Sequence, residues 1–238
     1  MGNQLYNLFG YSQNIQNQNS IPRVSSIRSL NSLDKEKLFS IPEFKQHYIM
    51  NLANVINKNI ILLGDSKIGK TKIFNTIFGI SDNNEQKSDR KNNYAYFQEK
   101  IFIIDGLEIN LNVWDTPGGD EHKESNKHFI KDCIIIYLCF NYNNSKSYEN
   151  IKKYYIKNIK EVCGKNGMIV VVGIKNEVFE NEEGYEGISV RDVNKFTENG
   201  NYLFYNVCLD NSNSINFLFD DSIKKYVLMQ SKLTFSKK

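Results

Sequence analysis

Residues 59–80 read Asn59-Ile60-Ile61-Leu62-Leu63-Gly64-Asp65-Ser66-Lys67-Ile68-Gly69-Lys70-Thr71-Lys72-Ile73-Phe74-Asn75-Thr76-Ile77-Phe78-Gly79-Ile80. The stretch from Gly64 to Thr71 matches the G-x-x-x-x-G-K-[ST] phosphate loop at every fixed position. Before it, Ile60 to Leu63 form a continuous apolar run, the pattern of a buried strand. After it, Ile73, Phe74, Ile77 and Phe78 recur at helical spacing ahead of Gly79, a helix with a glycine stop. Strand, loop and helix in that order make a phosphate cradle. The turn's backbone N–H groups face inward, Lys70 adds a mobile positive charge, and the Thr71 hydroxyl is offered to Mg²⁺. Gly64, Asp65, Ser66, Lys67, Ile68, Gly69, Lys70 and Thr71 are therefore the first candidate site residues.

Further along, strands and helices alternate. Tyr94–Asp105 and Leu107–Asp115 alternate apolar and polar residues and meet at Asp105-Gly106, a hairpin turn pair. Cys133–Phe140 and Met168–Gly173 are continuous apolar runs, as central parallel strands require, and Tyr202–Leu209 reads as a sixth strand. Helices are expected at Ser125–Asp132, Ser145–Cys163, Val190–Asn199 and Ser214–Leu233. The pattern predicts an α/β fold with a six-stranded mixed sheet and helices on both faces. Its domain spans 58–233 and is followed by a short basic tail, 234–238. Ahead of it, 1–57 reads as an Asn-, Gln- and Ser-rich disordered extension with one short amphipathic helix at 42–56, through Phe44, Tyr48, Leu52, Val55 and Ile56.

Composition narrows the class. A formal net charge of +3 with lysines interleaved among acids gives no basic stripe for nucleic acid. Asparagine is heavily over-used, which reads as solvated loop filler. Cys133, Cys139, Cys163 and Cys208 show no metal or disulfide spacing and read as small buried hydrophobes. Nothing at the start resembles a signal peptide, and no apolar run reaches the ~18 residues of a membrane span. A cytoplasmic protein is expected unless a lipid tethers it.

A phosphate loop alone leaves several enzyme classes open. The second element is Trp114-Asp115-Thr116-Pro117-Gly118, at the end of the third strand. There a carboxylate can hold a Mg²⁺-bound water and the Gly118 N–H can meet a γ-phosphate. With this segment the chain resembles a Ras-like small GTPase, Rab most closely, from Asn59 to Lys232. The resemblance implies the Ras-like G-domain form of the P-loop NTPase fold, GTP/GDP and Mg²⁺ as ligands, and effector and regulatory proteins as partners. Phe97, Trp114 and Phe129 resemble the aromatic triad that Rab proteins present to effectors.

The departures from the family fall at the base and at the catalytic parts. The guanine-reading motif, Asn-Lys-x-Asp in the family, is Ile174-Lys175-Asn176-Glu177 here. Lys175 and Glu177 retain a base-reading role by resemblance, whereas Ile174 has no amide. Each lost charged or bidentate hydrogen bond costs on the order of 1.5–3 kcal/mol, so guanine preference should be weakened. The last base-contacting stretch is Cys208-Leu209-Asp210, of which only the Leu209 backbone N–H can serve. The position of the water-orienting glutamine is Gly119, so no catalytic residue is assigned and very slow unaided hydrolysis is expected. A glutamine restored there is expected to speed it. The switch-I metal ligand aligns with Asn92, with Ser88 as a substitute.

The resemblance implies a nucleotide switch in vesicle or intracellular protein transport. The alternative is a non-cycling pseudo-GTPase acting as a scaffold. The family's C-terminal prenyl cysteines are missing, but Met1-Gly2-Asn3 and the following Asn7-Leu8-Phe9 resemble the myristoylated start of Arf proteins. Gly2 is thus a candidate lipidation site, and Leu5, Leu8 and Phe9 would add apolar contact on an endomembrane surface.

Overall fold

The structure, a computed structural model, describes residues 57–80, 94–104, 107–163, 167–175 and 188–235. Outside them lie Gly2, Leu5, Leu8, Phe9, the helix expected at 42–56, Ser88, Asn92, the Asp105-Gly106 turn, Asn176 and Glu177. The chain divides into two compact units: 58–100 with 112–222, and a smaller one of which 57, 101–104, 107–111 and 223–235 are described.

Six strands form one sheet in the order β2-β3-β1-β4-β5-β6. They are β1 Lys58–Leu63, β2 Tyr96–Ile104, β3 Leu107–Asp115, β4 Cys133–Asn141, β5 Met168–Lys175 and β6 Leu203–Cys208. The β1–β4, β4–β5 and β5–β6 ladders are parallel. β2 and β3 are adjacent strands joined by two residues, a connection that only an antiparallel pair allows. This is the mixed sheet that the alternation of elements predicts.

Ile60, Ile61, Leu62 and Leu63 are all 0% exposed, and successive strand residues point to opposite faces, so both faces of β1 are covered. On one face a continuous core joins Ile61, Leu63, Ile136, Leu138 and Phe140 to Ile130, Tyr148, Ile151, Ile159 and Val193. Those partners come from α2 (Lys123–Ile130), α3 (Ser145–Asn150) and the segment after it, α4 (Ile156–Cys163) and α5 (Val190–Gly200). On the other face Tyr137 meets α6, Ser212–Phe235, through the Phe219 ring at 4.9 Å and the Ser222 hydroxyl at 2.8 Å. All four cysteines are buried and free, and burial pushes the Cys139 thiol up to about 12.

Two elements differ from expectation. The helix expected from Ser125 begins earlier, as a 3₁₀ turn at Asp120–His122 that runs into α2. The single helix expected over Ser145–Cys163 is interrupted at Ile151–Tyr155 by a π-helical turn. A π-bulge takes up one extra residue, and here both Tyr155 and its neighbour Ile156 are buried. Hydropathy spacing does not register a one-residue insertion inside an otherwise amphipathic run.

Candidate functional site

The phosphate loop sits where β1 ends, beside the end of β4. Gly64 has φ 142, a region L side chains rarely adopt, and a Cβ there would run into the Cys139 carbonyl of β4. The loop then turns through Lys67 at φ 59 and Gly69 at φ 113 and enters α1, Lys70–Phe78. Lys70 is 5% exposed, and its Nζ donates to the carbonyls of Gly64 at 2.8 Å and Asp65 at 2.6 Å. Burial holds its pKa below the ordinary lysine value, against the opposing pull of Cys139, Asp115 and Asp65. The cation thus lies inside the loop, ringed by backbone oxygens, ready for exchange onto a phosphate.

Across the loop, the Thr71 hydroxyl donates to Asp115 Oδ2 at 2.7 Å. Hydroxyl and carboxylate are hard oxygen donors of the kind that hold Mg²⁺, which completes its shell with waters and substrate phosphates. Among the described residues no cluster of three or more His, Cys, Asp or Glu side chains forms, so a denser ligand set is not assembled there. The residues present fit Mg²⁺.

The segment after Asp115 is fastened at three points. Thr116 Oγ1 donates to the Leu62 carbonyl at 2.7 Å, and Asn126 Nδ2 donates to the Pro117 carbonyl at 2.9 Å. Gly118 rests directly on the Asp65–Ser66 peptide, where a Cβ would overlap backbone atoms. The loop is also held from the helical side. Asp65 accepts from Asn150 Nδ2 at 2.6 Å and from Tyr155 Oη at 3.3 Å, and burial, with the Asp65 carboxylate, pushes the Tyr155 phenol well up. Lys123 Nζ lies 4.3 Å from the Tyr154 ring centroid and pairs with Asp120, linking this wall to the 3₁₀ turn.

On the base side, Ile174 is 0% exposed. Its Cγ2 lies 3.3 Å, and Leu209 Cδ1 3.0 Å, from where a Gly69 Cβ would be, so the wall behind the loop is apolar. The Leu209 N–H donates to the Lys175 carbonyl at 3.0 Å. The base contact expected of that N–H therefore competes with a backbone hydrogen bond to the end of β5. Lys175 Nζ lies 5.4 Å from the Tyr142 ring centroid. Asp210 pairs with Lys72 at 2.6 Å. Glu177, Asn92 and Ser88 lie outside the described residues.

Gly119 takes φ 123, and a Cβ there would meet the Glu121 carboxylate at 2.6 Å. A glutamine at 119 would need a rebuilt turn and a displaced Glu121, so restoring it is not the simple gain that the sequence suggests. Phe97 stacks on Trp114 at 4.7 Å, and Trp114 meets Phe129 at 4.9 Å, so the three aromatics form one run. Phe97 is 45% exposed, whereas Trp114 and Phe129 pack partly against the core.

Fold and site together define a P-loop nucleotide-binding α/β protein. A profile of the Ras family matches residues 59–228, and the chain belongs to that family. The Ras-related protein RabN1 of Dictyostelium discoideum is 30% identical over 131 residues, 50% of this chain and 56% of that protein. RabF1 of the same organism is 28% identical over 118 residues, 50% of this chain and 59% of its own length. The GTP-binding protein RHO3 of Saccharomyces cerevisiae is 27% identical over 161 residues, 68% of this chain and 64% of that protein. The chain thus spans a little over half the length of the two Rab relatives.

The close seat of Gly118 gives a direct test of the loop contact. Gly118→Ala should destabilise the protein by roughly 1–3 kcal/mol, because backbone must move to admit the methyl. Gly79→Ala meets no atom within 4 Å and should lose only the roughly 1 kcal/mol of a left-handed helix cap. Urea denaturation measures each loss, and an unchanged midpoint for Gly118→Ala would contradict the packing of Gly118 on the loop.

Proposed function

We propose that this protein is a Rab-like, Mg²⁺-dependent GTP-binding switch with slow unaided hydrolysis, acting in vesicle or intracellular protein transport. The observation that carries the reading is the Thr71–Asp115 contact at 2.7 Å. It joins the end of the phosphate loop to the end of β3, so the two candidate Mg²⁺ ligands stand side by side. Bound there, Mg²⁺ would neutralise phosphate charge. Lys70 would turn from the Gly64 and Asp65 carbonyls to the phosphates, the loop N–H groups would hold the phosphate oxygens, and the Gly118 N–H would face the terminal one. Guanine is the favoured base because Lys175 and Glu177 align in sequence with the base-reading positions of the family motif, and the apolar pair Ile174 and Leu209 makes that preference looser than a full motif would. The Rab character of the relatives supports the transport role, and the Phe97–Trp114–Phe129 run supplies an aromatic surface for effectors.

A second reading is a scaffold that holds nucleotide without cycling. Two observations favour it: Gly119, with no side chain to orient water, and Ile174, sealed in the core. Single-turnover hydrolysis separates the two. A slow but measurable phosphate release supports the switch, and none over hours supports the scaffold.

Titration with a fluorescent GTP analogue checks the binding claim. Lys70→Ala should lose most of the affinity, and chelation of Mg²⁺ should weaken the unmodified protein. ATP should compete less well than GTP. Equal competition would mean that Glu177 does not read the base, and unchanged affinity in the Lys70 variant would overturn the site.

Membrane contact is proposed through acylated Gly2, helped by Leu5, Leu8 and Phe9. A myristoyl chain contributes about 0.8 kcal/mol per buried CH₂ and binds membrane only marginally alone. Co-expressed with an N-myristoyltransferase, the unmodified protein should pellet with vesicles more than Gly2→Ala. Equal soluble fractions would remove the anchor.

A further inference from the structure

The phosphate loop receives a hydrogen bond that its motif does not specify. Asn141, the last residue of β4, donates from Nδ2 to the Ile68 carbonyl at 3.3 Å. That carbonyl shares a peptide with the Gly69 N–H, and a trans peptide points the two groups in opposite directions. Holding the carbonyl toward β4 therefore turns the Gly69 N–H away from the sheet, in the sense that a phosphate cradle needs.

The Asn141 side chain is itself fixed. It is 8% exposed, and its Oδ1 accepts the Asn143 N–H at 2.9 Å. Its backbone N–H is donated to the Ser147 hydroxyl at 3.1 Å, and Ser147 is fully buried. The side chain is thus tied to the turn into α3 through Oδ1 as well as to the loop through Nδ2.

The neighbouring strand explains why the bond matters. Asn141 is the register partner of Ile174 in the parallel β4–β5 ladder. Ile174 reaches the same loop, with its Cγ2 at 3.3 Å from the Cβ position of Gly69, but it carries no polar atom. One strand offers the loop a methyl group, and the strand beside it offers an amide.

We propose that Asn141 is a positioning residue for the phosphate loop, supplying from β4 the amide that position 174 on β5 lacks and so aiming the Ile68–Gly69 peptide at the phosphates. The proposal deepens the nucleotide-binding reading and rests on it. A lost donor leaves the Ile68 carbonyl unpartnered near the core, and the cost should appear in nucleotide residence. An amide moved one strand over, to 174, is within reach of the same peptide and should restore it.

The test uses the full chain and two readouts: dissociation of a fluorescent GDP analogue, and hydrogen exchange of peptides covering 64–72 in nucleotide-free protein. Asn141→Asp keeps the shape but sets an acceptor against a carbonyl, and Asn141→Ala removes the group. Both should release nucleotide about ten-fold faster, equivalent to about 1.4 kcal/mol. Both should also speed exchange at 64–72 while leaving β4 and β5 protected. Adding Ile174→Asn to Asn141→Ala should bring dissociation back to within about three-fold of the unmodified protein, a rescue that a merely structural role for Asn141 does not predict. Unchanged dissociation and exchange in both single variants would overturn the proposal, as would failure of the rescue. If the unmodified protein binds neither GDP nor GTP, the nucleotide reading falls alone, and the exchange comparison decides the role of Asn141 by itself.

Discussion

The buried ammonium of Lys70, held between the carbonyls of Gly64 and Asp65, is the interaction on which the site depends. A charge at 5% exposure is costly unless it is fully hydrogen-bonded. The loop meets that cost by bending its own carbonyls around the cation, a shape open to it because Gly64 and Gly69 take positive φ. The rest of the site braces that bend. Gly118 leans on the Asp65–Ser66 peptide, Asn150 and Tyr155 hold the Asp65 carboxylate, and Thr71 binds Asp115. The loop is therefore braced from several sides around the Lys70 ammonium.

The departures from the family motif fall on two sides of this cradle and have different physical consequences. At Ile174 an apolar core residue stands where the family motif has asparagine, so the wall behind Gly69 is apolar. At Gly119 a side chain has become a backbone turn that a substituent cannot enter without displacing Glu121. On the proposed reading the first would loosen base specificity and the second would slow hydrolysis, while Lys70, Thr71 and Asp115 keep the residue types of the family motif. Phosphate and metal binding would thereby be separable from turnover, so the proposed switch and the scaffold reading call for the same cradle.

Much of the fold could be read from the sequence because its strongest signals are local. The run Ile60–Leu63 followed by Gly64–Thr71 specified strand, loop and helix together, and the apolar runs of β4 and β5 marked the centre of the sheet. The bracing residues were not legible. Asn126, Asn141 and Asn150 sit in a chain so rich in asparagine that they look like solvated filler, and their roles arise from contacts across 9, 73 and 85 residues. Tyr155 was hidden for a different reason: it occupies a π-helical turn, and hydropathy spacing predicts an unbroken helix there. The Phe97–Trp114–Phe129 run was visible only by resemblance, since stacking across two strands and a helix leaves no trace in spacing.

The central claim is that the cradle holds a guanine nucleotide, and the most direct measurement is to denature freshly purified protein and identify what it releases by ion-pair chromatography. The account predicts guanine nucleotide in near-stoichiometric amount, with GTP persisting alongside GDP because hydrolysis is slow. Release of no nucleotide, or of adenine nucleotide in its place, would contradict it.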